Sequence, residues 1–127
     1  MNPIPTIVIV DDDEDVRLST ESLMRSIGCR AAAYGTPHEA LSSPTLGQAD
    51  CLITDLQLPG MNGLDLQACL RRRGIDIPVI VITAFPDDRL RRRSKEVGVF
   101  DFLEKPFAGD RLIDSINEAL GLWPERR

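Results

Sequence analysis

Two runs of branched aliphatic residues, Thr6–Val10 (TIVIV) and Val79–Ile82 (VIVI), constrain this chain more than any other feature. Both are short and uncharged, which suits strands buried on both faces of a parallel sheet. Three further strands are expected at Arg30–Tyr34, Cys51–Thr54 and Val99–Leu103. Helical stretches lie between them. Val16, Thr20, Leu23 and Ile27 recur at helical spacing after the acidic start Asp13–Asp15, and Gly28 suits that helix's C-terminal cap. Gly74, Gly98 and Gly121 are read as following the third, fourth and fifth helices, with Arg71–Arg73 complementing the end of the third. Leu112, Ile113, Ile116 and Leu120 mark the apolar face of the last helix. The second helix, near Pro37–Ser42, is short and weakly signalled. A (βα)5 alternation implies an α/β fold, a flavodoxin-like doubly wound three-layer sandwich with right-handed crossovers and sheet order 2-1-3-4-5.

The chemistry gathers at the strand ends. Asp11, Asp12 and Asp13 follow the first strand, Asp55 follows the third, Thr83 the fourth, and Lys105-Pro106 the fifth. In a sheet of that order the first and third strands are adjacent, and ligands bind beyond their carboxyl ends. Clustered carboxylates repel unless a cation joins them, and Mg²⁺ takes oxygen ligands while leaving room for phosphate oxygens. An Asp carboxylate can accept a phosphoryl group covalently, with Lys105 and Thr83 placed to steady its oxygens. Taken singly, these residues have ordinary uses: Asp11–Asp15 as a solvated helix start, Asp55 as a turn former, Thr83 as a capping hydroxyl, Lys105 as a surface lysine. The joint pattern is what favours a site.

Composition excludes several classes. The chain has 127 residues, 43% of them hydrophobic and 28% charged, which fits one globular domain. Residues 1–120 are assigned to it and 121–127 to a tail or the start of a linker. A formal net charge of −5 argues against direct nucleic-acid binding by this domain. No apolar run is long enough to span a membrane, and Met1–Pro5 has no signal-peptide character. Three cysteines without metal spacing fit reduced thiols in a cytoplasm, Cys51 and Cys69 as core filler. No Walker-type loop or dinucleotide fingerprint occurs, so a bound nucleotide is not expected.

Four segments in order, IVIVDDDEDVR, TDLQLPGMNG, PVIVITA and DFLEKPF, resemble the response-regulator receiver domain over roughly Thr6 to Leu120. The last resembles receivers of the FixJ and NtrC type, which regulate transcription through an attached output domain. The resemblance implies Asp55 as phosphoacceptor, Asp12 as direct Mg²⁺ ligand, Asp11 as a ligand through water, and the Gln57 backbone carbonyl as the third metal position. It implies Lys105 as the invariant lysine, cis to Pro106, and Thr83 and Phe102 as the switch pair. Phe102 lacks a hydroxyl, so its inward state is expected to rest on packing alone. A sensor histidine kinase would supply the phosphoryl group, because the single histidine, His38, reads as a surface residue away from the strand ends.

The output face would be the fourth helix, fifth strand and fifth helix. Arg89, Arg91, Arg92, Arg93 and Lys95 make a basic cluster suited to an output domain or a second copy, or simply a solvated helix face. Phe85, two residues beyond Thr83, is expected to shield the acyl phosphate from water, with Gln57 on the opposite flank. The alternative within the family is a stand-alone receiver acting by protein contact or phosphate shuttling. A pseudo-receiver is disfavoured, since no acceptor residue is missing. A haloacid-dehalogenase-like phosphatase is a remote rival: Asp11 and Asp13 imitate its DxD, but Asp15 stands where Thr or Val belongs. An EF-hand fails because Val16 replaces the required Gly and Ser22 the bidentate Glu.

Overall fold

The computed structural model describes residues 4–122. Strands β1 (Thr6–Val10), β2 (Arg30–Tyr34), β3 (Cys51–Asp55), β4 (Val79–Thr83) and β5 (Asp101–Glu104) form a parallel sheet in the order β2-β1-β3-β4-β5. This is the doubly wound order that the alternation implied. Helices α1 (Glu14–Ser26) and α5 (Gly109–Leu122) cover one face, and α2 (Pro37–Ser42), α3 (Gly63–Arg72) and α4 (Asp88–Glu96) the other.

The unbroken apolar runs follow from the two-residue strand period. Ile7, Ile9, Ile53, Ile80 and Ile82 enter one core with Met24, Leu112 and Ile116. Val8, Val10, Leu52, Val79 and Val81 enter the other with Leu64, Leu66 and Leu70. Each fully buried aliphatic side chain contributes on the order of 1.5–3 kcal/mol of transfer free energy.

Local signals set the helix ends. Asp13 caps α1 by accepting from the Val16 N–H at 3.2 Å. Gly28 follows at φ +90°, a conformation glycine adopts without strain. The weakly signalled α2 is held by a capping box: Thr36 Oγ1 accepts from the Glu39 N–H at 3.1 Å, and the Glu39 carboxylate accepts from the Thr36 N–H at 3.2 Å. TPHE has the T-x-x-E spacing of such a box. A 3-10 helix at Pro44–Gln48 had no counterpart in the sequence reading.

Three expectations need correction. The fifth strand begins at Asp101, not Val99, because the Val99 N–H closes α4 by donating to Ser94 O at 2.9 Å. Gly121 does not follow α5 but lies within its last turn. Burial of Leu112, Ile116 and Ala119 on the sheet outweighs the roughly 1 kcal/mol that a helical glycine costs. Cys51 is core, but Cys69 is only half-buried, its sulfur facing the Arg72 guanidinium at 3.1 Å. Of the proposed tail, residues 123–127 lie outside the described residues. Among the described residues no helix is long and apolar enough to cross a membrane.

Candidate functional site

The strand register brings the chemistry-bearing residues to one edge. Val10 pairs with Thr54, Asp55 with Ile82, and Thr83 with Glu104. Asp11 therefore follows β1 beside the end of β3, and Lys105 follows β5 beside the end of β4. The Lys105 N–H donates to Thr83 O at 2.7 Å, tying the two segments together.

Carboxylate oxygens of Asp11, Asp12 and Asp55 lie within 4.8 Å of one another. Lys105 Nζ stands 3.0 Å from Asp11 Oδ2 and 3.0 Å from Asp55 Oδ2. Asp11 and Asp55 are buried, whereas Asp12 is exposed. Asp55 Oδ1 also accepts from the Gln57 N–H at 3.2 Å, so both acceptor oxygens are held. Three carboxylates against one ammonium leave two negative charges, which a divalent cation would neutralise. The all-oxygen donor set is that of a hard cation such as Mg²⁺. A cavity of about 440 Å³ opens here, lined by Asp12, Asp55, Gln57, Phe85 and Lys105 among others. A larger groove of about 640 Å³ lies on the other side of Lys105, floored by Val16, Leu23, Pro106 and Phe107. Its apolar lining suits no phosphoryl group, so the smaller cavity is the chemical one.

The two buried partners titrate abnormally. Burial pushes the Asp11 carboxyl above its ordinary 3.8, against the opposing pull of the Asp13 N–H and Lys105. Burial would lower the Lys105 ammonium, but hydrogen bonds to Asp55 and Asp11 outweigh it and hold the group above 10.5. A raised folded-state value means Lys105 stabilises the fold fully below its unfolded value and stops doing so as pH rises through the folded one. Denaturant melts of the metal-free protein are therefore expected to show stability falling as pH climbs past 10.5. Lys105→Met should flatten that decline; an identical slope in the variant would refute the assignment.

Two supports were not singled out in sequence. Arg17 Nη1 donates to Asp11 O at 2.8 Å and so holds the backbone that presents the acidic pair. Gly63, at the start of α3, abuts Asp55 itself: a Cβ there would lie 2.7 Å from Asp55 O. A lone Arg one helical turn past the acids gave no signal for the first, and the final Gly of TDLQLPGMNG was read only as part of the family resemblance.

The flanking residues are also in place. Thr83 is fully buried; its hydroxyl donates to Gln57 Oε1 at 2.9 Å and accepts from the Phe85 N–H at 3.0 Å. The Phe85 side chain is 74% exposed at the cavity rim. Phe102 is half-buried against the core, and the Arg91 guanidinium lies 4.8 Å from its ring centroid. In this structure its position rests on packing and a cation–π contact. The peptide bond between Lys105 and Pro106 is cis. His38 is exposed on α2, as are the five basic residues on α4.

The family model for the response regulator receiver domain matches residues 7–117. The chain belongs to the response-regulator receiver family. This receiver is 39% identical over 121 residues to nodulation protein W of Bradyrhizobium diazoefficiens, covering 95% of the chain and 53% of that protein. It is 36% identical to the response regulator protein TodT of Pseudomonas putida, again over 95% of the chain and 53% of the relative. The crystal structure of FixJ-N superposes with a TM-score of 0.82 at 32% identity, covering 95% of this chain and 96% of that one. The receiver spans about half the length of the curated relatives it matches. Family membership displaces the haloacid-dehalogenase-like reading.

Proposed function

We propose that Asp55 is the phosphoacceptor of this receiver and that a sensor histidine kinase is the donor. The observation that carries the reading is the Lys105 ammonium, shared between Asp55 and Asp11 beside a cluster of three carboxylates. Asp12, Asp55 and the Gln57 carbonyl would hold Mg²⁺ directly, and Asp11 through water. Mg²⁺, when bound, supplies charge neutralisation to the phosphoryl oxygens. An Asp55 oxygen attacks phosphorus, the phosphorus–nitrogen bond to the donor imidazole breaks, and the leaving imidazole takes up a proton. Lys105, held beside Asp55, would pair with a phosphoryl oxygen. The domain's chemistry is confined to its own acceptor, so it acts as a switch and not as an enzyme on outside substrates.

Thr83 then turns its hydroxyl to the phosphoryl group, and Phe102 follows into the space released. Phosphate biases an existing equilibrium of the α4-β5-α5 face. Readout through an attached output domain, most simply in transcription, or through a second copy on the Arg89–Lys95 face, fits relatives named as transcriptional regulators. The stand-alone alternative uses the same site. A cytoplasmic setting is in keeping with the free thiols.

Incubation with acetyl phosphate and Mg²⁺ is expected to add one phosphoryl group, read by intact mass, and EDTA is expected to prevent it. Unmodified protein with Mg²⁺ present would overturn the reading. Phe85, at the cavity rim, shields the acyl phosphate in this account. Phe85→Ala should therefore lose phosphate faster than the wild type, followed by radiolabel decay. Equal half-lives would remove Phe85 from it.

A further inference from the structure

We propose that the Gln57 side chain is an off-state latch on Thr83, a positioning residue that sets how readily the switch hydroxyl reaches the phosphoryl group. The proposal rests on Asp55 being the acceptor. A threonine hydroxyl has one proton to donate. Here that proton goes to Gln57 Oε1 at 2.9 Å, and the oxygen accepts from the Phe85 N–H at 3.0 Å. Both functions of the hydroxyl are thus spent on the two loops that frame the cavity. Gln57, Ala84 and Phe85 line that cavity, whereas Thr83 is fully buried and does not. The Thr83 hydroxyl is therefore engaged by a residue of the cavity wall, beside the space where a phosphoryl group would sit.

The Thr83 proton cannot point at Gln57 and at a phosphoryl oxygen together. Switching requires the Gln57 bond to break, and its strength is subtracted from the gain on phosphorylation. Gln57 is itself solvent-exposed, so its released amide is taken up by water at little cost. The chain carries its metal ligand at this position on the backbone, which leaves the side chain free for this separate role.

The probe is beryllofluoride, titrated calorimetrically into the full chain at saturating Mg²⁺. Gln57→Met keeps length and the backbone carbonyl but removes the acceptor. It is expected to bind beryllofluoride about 3- to 10-fold tighter than the wild type, the range for one net hydrogen bond. In a Thr83→Val background, Gln57→Met should change nothing; in a Thr83→Ser background, which restores the hydroxyl, the gain should return. Equal affinity of wild type and Gln57→Met would overturn the latch, as would an equal gain in the Thr83→Val background. Absence of beryllofluoride binding by the wild type would instead overturn the acceptor assignment on which the latch depends.

Discussion

Asp55→Asn is expected to reduce phosphorylation from acetyl phosphate and Mg²⁺ to background. The substitution keeps the shape of the side chain and an oxygen able to accept the Gln57 N–H at 3.2 Å. It removes the second oxygen, the one 3.0 Å from Lys105 Nζ, and with it the charge that the proposed nucleophile and metal ligand would need. The fold should survive. Lys105 keeps Asp11 at 3.0 Å, and one of three mutually repelling carboxylates is gone. A folded protein that takes no label is thus the expected result, with circular dichroism and intact mass read on one sample. Label at the wild-type level would refute the assignment, because Asp12 and Asp11 would then have to accept phosphate from less suitable positions. Asp12 lacks the lysine contact, and Asp11 does not line the cavity that Asp55 lines.

Gly63→Ala is expected to destabilise the protein by about 1–3 kcal/mol, the usual cost of forcing a methyl group into a filled space. Two effects oppose each other here. Alanine is the better helix former by up to about 1 kcal/mol, and Gly63 opens α3, so propensity alone predicts a gain. Sterics decide the sign. The added Cβ would lie 2.7 Å from Asp55 O, 3.2 Å from Thr54 Cγ2 and 3.3 Å from Leu56 Cα. Two of these three atoms are backbone and cannot rotate away. The first turn of α3 must therefore move off β3, and the Asp55 peptide moves with it. Urea melts should show a lower midpoint, and acetyl phosphate labelling should slow. Gly121→Ala supplies the control: among the described residues, apart from its chain neighbours and the adjoining helix backbone, no atom lies within 4 Å of its added Cβ, so propensity should act unopposed and raise stability. An unchanged or raised midpoint in Gly63→Ala would show that α3 does not press on the acceptor strand.

Much of the site was legible because strand ends are legible. Alternating faces of β1 and β4 demanded unbroken apolar runs, and those runs stop where polar atoms must begin. Asp11, Asp55, Thr83 and Lys105 were therefore locatable from the ends of hydrophobic segments alone. The start of β5 was missed because Val99 and Phe100 carry strand-forming side chains while the Val99 N–H is committed to α4. Propensity does not register which carbonyl a given N–H will find. Gly121 was misread for a related reason: burial of Leu112, Ile116 and Ala119 on the sheet holds α5, and a glycine in its last turn does not undo that.

Residue types and their spacing were enough to determine the alternation of elements, the two-faced burial of the sheet, the acids at the switch point and the membership those motifs imply. Only the tertiary structure decided the pairings across segments distant in the chain. Lys105 divides its charge between Asp11 and Asp55, Arg17 holds the Asp11 carbonyl, Arg91 covers Phe102, and Gln57 occupies the Thr83 hydroxyl. Local sequence encodes torsions and hydrophobic period, which act over a few residues. The direction of a single donor is set by whichever acceptor folding leaves within about 3 Å, and that depends on the whole packed arrangement.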